Sequence, residues 1–178
     1  MLTPANIFIS VVLAGILCGV SVSAQAIDPP ESQVTAAMLF NITKFVEWPV
    51  DSFAANSQLS ICIAGTNPFN SSSYTYQDKI SKGKTIKIRS ISGPQEVQGC
   101  HLLFIDQTEQ AAMPAYLQQT SGMPILTASN IVQFASNHGI IGLFRQDDRL
   151  RFEINHDEAR RSRLMISSNL LKLARIVR

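Results

Sequence analysis

The sequence predicts a single-domain layered α/β protein, with a mixed, mostly parallel sheet flanked by helices and an antiparallel hairpin near the C-terminal end. Three observations predict it. Short alternating segments take turns with segments of helical period through the first two-thirds of the chain, the order of strands laid side by side through crossovers. His101–Asp106 (HLLFID) is apolar without alternation, as a strand covered on both faces would be. Two late alternating segments are separated only by Gln146-Asp147-Asp148, a hairpin spacing.

In chain order, Asp28-Pro29-Pro30 reads as an extended leader with proline-fixed φ. Val34–Trp48 reads as a helix, because Val34, Met38, Ile42 and Phe45 fall on one face of a 3.6-residue period. Pro49 stops it, since the residue before a proline avoids the α region. Leu59–Ala64 alternates Leu59, Ile61 and Ile63 against Ser60, Cys62 and Ala64, a strand pattern. Gly65–Pro68 turns the chain, and Phe69–Ser81 is expected to be helical despite its serine run. Lys84–Ile91 is a second strand and His101–Asp106 a third. Thr108–Gln119 is a helix candidate with Thr108 at its N-cap, and Met123–Thr127 a short strand. Asn130–Ser136 forms a brief helix, and Gly139–Arg145 with Arg149–Asn155 makes the hairpin. Asn155 then caps a helix, with Glu158 three places on. Ile166, Leu170, Leu173 and Val177 mark a last helical stripe.

Charge divides the chain sharply. Met1–Ala26 contains no Lys, Arg, Asp or Glu, so all 15 basic and all 13 acidic residues lie after it. Ile7–Val22 is mostly apolar and is followed by the small residues Ser21-Val22-Ser23-Ala24-Gln25-Ala26, which suit a signal peptidase cutting after Ala24 or Ala26. The apolar run falls short of the roughly 20 residues that cross a bilayer. The n-region has no Lys or Arg, which leaves an uncleaved N-terminal anchor as the alternative. The expected organisation is therefore a signal peptide over 1–26, an extended leader over 27–33 and one α/β domain over 34–178. After processing, no stretch of membrane-spanning length remains. A net charge of +2 is too small to imply nucleic acid.

No catalytic pattern stands out. There is no Gly-x-Ser-x-Gly elbow, phosphate-binding glycine loop or His-Glu-x-x-His. His101, His138 and His156 lack ligands at metal spacing, so no metal or cofactor is expected and no catalytic residue is assigned. With Cys18 removed in the leader, Cys62 and Cys100 are left as an even pair in an oxidising compartment. Paired, they would stabilise the fold by roughly 3–4 kcal/mol; the alternative is two separate buried thiols. Arg160, Arg161 and Arg163 form the densest basic cluster, with Arg145, Arg149 and Arg151 nearby in sequence. It reads either as a contact for an anion or anionic partner or as a solvated helix face offset by Asp157 and Glu158. Trp48, the one tryptophan, stands at a predicted helix end, where it either anchors a partner or packs over the sheet.

Several segments in consistent order resemble the YfiR family of small periplasmic proteins, the DUF4154 domain. They are Ala37–Pro49 (AMLFNITKFVEWP), Leu59–Phe69 (LSICIAGTNPF), Gly83–Ile88 (GKTIKI), Gln98–Asp106 (QGCHLLFID), Pro124–Asn130 (PILTASN), Gly139–Arg145 (GIIGLFR) and Leu150–Val177, with Arg151–Asn155 (RFEIN) and Lys172–Val177 (KLARIV) inside it. The resemblance implies a compact periplasmic α/β domain and a disulfide between Cys62 and Cys100. It also implies restraint of a membrane-bound diguanylate cyclase through the cyclase's outer domain. Some members carry a second cysteine pair around the stretch that is Phe134–Arg145 here. This chain has none there, so redox control through that pair is lost to it.

The leading expectation is thus a periplasmic regulator, not an enzyme, which binds the outer domain of a membrane signalling protein. A periplasmic small-molecule binding module serving a receptor or transporter is the alternative. Its partner, the signal it senses, its oligomeric state and its strand order are not legible.

Overall fold

The computed structural model describes residues 30–53, 58–70 and 75–177. The predicted signal peptide and its cleavage sites lie outside these residues, as do most of the predicted leader and residues 71–74 of the predicted second helix.

The first helix, α1, spans Glu31–Thr43, with Pro30 at its N-cap and Glu31 in the first turn, where a carboxylate meets the positive end of the helix dipole. It ends five residues earlier than its periodicity suggests. Thr43 turns its hydroxyl back onto the Phe40 carbonyl at 2.7 Å, and the chain goes straight into a short strand, β1 (Val46–Glu47). The buried face is also displaced. Thr35, Ala36, Leu39, Ile42 and Thr43 are buried, so Leu39 replaces Val34, Met38 and Phe45 as the mid-helix anchor.

The strands that follow are β2 (Gln58–Ala64), β3 (Ile80–Ser81), β4 (Lys84–Ile91), β5 (Leu102–Ile105), β6 (Leu126–Ser129), β7 (Ile141–Gln146), β8 (Arg149–Asn155), β9 (Met165–Ile166) and β10 (Arg175–Val177). Eight of them form one sheet in the order β10-β8-β7-β6-β5-β2-β4-β3. β4, β2, β5, β6 and β7 run parallel; β3 is antiparallel to β4, β8 is antiparallel to β7, and β10 lies parallel to β8. This is the mixed, mostly parallel sheet that the sequence predicts. A second, two-stranded sheet pairs Val46 with Ile166 and Glu47 with Met165.

The alternation in β2 explains how the sheet sits in the core. Leu59, Ile61 and Ile63 join Leu39 and Ile42 of α1, Phe104, Leu143 and Ile154 on one face. Cys62 and Ala64 join Leu103, Ile105, Tyr116 and Phe134 on the other. All four residues of β5 are buried, as expected of a strand covered on both sides. Cys62 and Cys100 are joined by a disulfide with their Cα atoms 5.8 Å apart, linking β2 to the turn that enters β5.

Four further expectations are corrected. Of Phe69–Ser81, the described part turns and then pairs as β3, so no helix forms among its described residues. Thr108 is not the cap. Asp106 is, its carboxylate accepting from the Thr108 N–H at 3.1 Å and leading into a 3-10 turn over Gln107–Ala112 before α2 (Met113–Thr120). The brief helix after Asn130 is reduced to a 3-10 turn at Ala135–Asn137. The C-terminal stripe is divided among β9, one turn of helix α4 (Ser168–Leu171) and β10. In the first and last of these, short apolar runs met a strand partner, and ladder hydrogen bonds outweighed helical periodicity. The hairpin is tighter than its spacing suggests. Gln146 pairs with Arg149, which leaves Asp147 and Asp148 as a two-residue turn with φ of 50° and 56°.

Candidate functional site

The predicted basic cluster is built on a capped helix. Asn155 ends β8, and its side-chain oxygen accepts from the Glu158 N–H at 3.0 Å, starting α3 (His156–Arg161). Arg160 and Arg161 fall in the last turn, where positive charge suits the dipole. Arg161 pairs with Glu158 at 2.6 Å, and Glu158 also meets His138 Nδ1 at 2.9 Å. Arg163, at φ 56°, swings the chain out of the helix toward β9. Its guanidinium reaches Asp51, 112 residues away in sequence, at 3.0 Å.

That last contact joins two distant segments into one surface. Asp51 follows Val50, which is 91% exposed, and Arg163 precedes Met165, which is 65% exposed. The β1–β9 ladder holds the two segments side by side, through Glu47 paired with Met165 and Val46 with Ile166. Two exposed apolar side chains therefore stand beside the Arg163–Asp51 pair, with Arg160 and Arg161 exposed on the neighbouring helix. Apolar anchors with arginines around them have the composition of a protein contact surface.

Trp48 takes a different place from the surface position considered for it. It is only 9% exposed and packs in the core. Its indole N–H donates to the His101 carbonyl at 2.9 Å, so the polar edge is already used. Trp48 is the root of the loop that presents Val50 and Asp51.

His101 fixes that loop from the sheet side. Its Nδ1 accepts from the Ser60 N–H at 3.1 Å, which places the ring proton on Nε2, facing the Ser52 carbonyl at 3.1 Å. Phe53 stacks on the imidazole with centroids 4.6 Å apart, and Lys84 sits over the outer side of Phe53. Burial holds the His101 pKa below its ordinary value and the Lys84 charge lowers it further, while the hydrogen bond to Ser52 opposes them. His101 therefore works as a neutral strut between β2 and the 49–53 turn.

Arg145, Arg149 and Arg151 do not join the cluster. They lie toward the hairpin tip: along β8, Arg149 is about 20 Å and Arg151 about 13 Å from Asn155. Arg145 is engaged elsewhere, with Glu31 of α1 at 3.0 Å. Sequence reading missed Val50, Asp51 and Met165, because their neighbourhood depends on a ladder between strands of two residues each. It also missed the strut role of His101; the only hint was its position beside Cys100 at the start of an apolar strand.

Among the described residues, no helix is long and apolar enough to cross a membrane. The family model described as YfiR/HmsC-like (DUF4154) matches residues 32–175. No curated protein matches the chain.

Proposed function

The chain belongs to the YfiR/HmsC-like family, and from that premise we propose that it is a periplasmic regulator which binds the outer domain of a membrane signalling protein. In its most specific form the reading is that it represses a diguanylate cyclase and keeps cyclic di-GMP low. The observation that carries it is the family match across nearly the whole described fold. The family's role in general is regulation from the periplasm in the setting of cyclic di-GMP, and the role is not catalytic.

The surface around Val50, Met165 and the Arg163–Asp51 pair supports the reading physically. A regulator of this kind works by binding one conformation of its partner better than the other, and shifts the balance by no more than that difference in affinity. A ladder-supported, partly apolar patch ringed by Arg160, Arg161 and Arg163 offers the rigid contact this requires. In this reading Trp48 contributes by holding the Val50–Asp51 turn in place.

Deleting the gene and measuring cyclic di-GMP and surface attachment tests the proposal. A rise in both is expected, together with a membrane protein recovered by crosslinking from a photoreactive residue at position 50 or 165. Unchanged cyclic di-GMP with no membrane partner recovered would refute it.

A further inference from the structure

A cleft of about 620 Å³ opens beyond the ends of β5 and β6, beside the overhanging part of β7. It arises from unequal strand lengths. β6 stops at Ser129, and its ladder with β7 covers only Ala128 against Ile141 and Ser129 against Gly142. β7 runs on to Gln146 with β8 alone at its side.

The hydrogen-bond phase of the hairpin decides what faces the cleft. The Asn155 N–H bonds to the Ile140 carbonyl at 2.8 Å. In an antiparallel ladder bonded pairs alternate with unbonded ones, so Gly142 and Phe144 turn their main-chain groups toward β8. Leu143 and Arg145 turn theirs the other way. Among the described residues no strand lies beside Arg145 on that side. The Leu143 N–H faces Ser129 at the end of β6, so the open edge comprises the Leu143 carbonyl and both main-chain groups of Arg145; it forms one wall of the cleft, lined by Leu143, Phe144 and Arg145.

We propose that this cleft takes an extended peptide segment bearing an acidic side chain, which adds to β7 as a strand in the place that β6 vacates. The site is distinct from the Val50–Met165 surface, and its failure would leave that reading intact. Strand addition draws its affinity from main-chain hydrogen bonds and its selectivity from flanking side chains. The open edge from Leu143 to Gln146 is about 10 Å long, enough for roughly three to four residues of peptide. The cleft volume is in the usual range for a ligand site.

The flanking side chains argue for an acid. Arg145 is held by Glu31 at 3.0 Å and Asp148 at 3.7 Å, both well exposed. Such pairs are weak, so a peptide carboxylate exchanges readily for Glu31. On the other face Arg175 is fixed. Two of its N–H groups go to the carboxylate of Glu153, which is 4% exposed, and its guanidinium lies 4.3 Å from the Phe144 ring centroid. Gly142 leaves Glu153 its room, since a Cβ there would stand 2.9 Å from the carboxylate Oε1. The opposite wall is set in advance by Asn130, which accepts from the Gln107 N–H at 2.7 Å and donates to Asp106 at 3.1 Å. A small anion would need only the guanidinium; the open main-chain edge is what selects a peptide.

The test is a titration of ¹⁵N-labelled protein with the capped tetrapeptide Val-Glu-Val-Thr, followed by NMR and amide hydrogen exchange. The Arg145 amide is expected to shift and to exchange more slowly, and Arg145→Glu to raise the Kd by about tenfold or more. The same peptide with alternate amides N-methylated should lose binding. Val132→Trp, on the exposed cleft rim away from the hairpin, should block the mouth and guards against a folding artefact in the first variant. The proposal is overturned if the Arg145 amide is unmoved at about 1 mM peptide. Equal binding of the N-methylated peptide would overturn it too, as would unchanged binding in both variants. If glutarate gives the same shift with equal affinity, the cleft is an anion site and not a strand acceptor.

Discussion

The imidazole of His101 donates from Nε2 to the carbonyl of Ser52 across 3.1 Å, tying the end of the 49–53 turn to the head of β5. Ser60 occupies the other ring nitrogen as a donor at 3.1 Å, so this strut holds only while the ring is neutral. Protonation at Nδ1 would set two N–H donors against each other.

That gives a pH dependence with a definite sign. The folded-state pKa of His101 is lowered from 6.5, mainly by burial. The unfolded chain therefore takes up the proton first as pH falls, and stability declines from about the ordinary value downward until the folded form titrates as well. Wild type should lose more melting temperature between pH 7.5 and pH 5 than His101→Gln, with thermal unfolding as the measurement. Parallel pH profiles for the two proteins would show that His101 makes no such contribution.

Trp48→Phe keeps most of the ring but removes the donor to the His101 carbonyl, and should cost about 1–2 kcal/mol. Trp48→Ala should cost about 3–5 kcal/mol through the cavity it leaves. Chemical denaturation read by circular dichroism measures both. If both variants are as stable as wild type, the indole is not the root of the turn.

The fold was largely legible where one residue pattern had one physical meaning. The alternation of β2, the extent of β4, the unbroken apolar run of β5 and the Asn155 cap all appear where the sequence predicts them. It was illegible where the deciding partner lay far away. Nothing local says that Val46 leaves its helix to pair with Ile166, 120 residues on. Nor does Arg163 announce Asp51. The proposed contact surface consists mostly of such distant meetings, which is why Trp48 drew attention in place of the residues it supports.

Cys62→Ala should lower stability by about 3–4 kcal/mol, because the unfolded chain regains the freedom that the cross-link removes. The comparison is of denaturation midpoints with and without reductant. Wild type under reducing conditions should approach the variant, and equal midpoints throughout would mean that the bridge does not stabilise the fold.

Arg160→Glu combined with Arg161→Glu should reduce partner binding by about tenfold or more while leaving the melting temperature within a few degrees of wild type, since both side chains are exposed. Arg163→Ala breaks one exposed ion pair and should cost less than about 1 kcal/mol. Retained binding in the double variant would return the cluster to an ordinary solvated helix face.

Gly142→Ala should destabilise by about 1–3 kcal/mol, because the new methyl meets the buried Glu153 carboxylate that Arg175 holds in place. Urea denaturation measures it, and a neutral effect would mean that Glu153 has room to give way.

The ring closed by Cys62 and Cys100, 38 residues apart in sequence, contains the whole of β3 and β4. A molecule stretched from its two ends therefore passes the load straight across the sulfur bridge. One margin of the sheet stays out of the force path until a reductant opens it, and that opening releases about 120–130 Å of hidden chain.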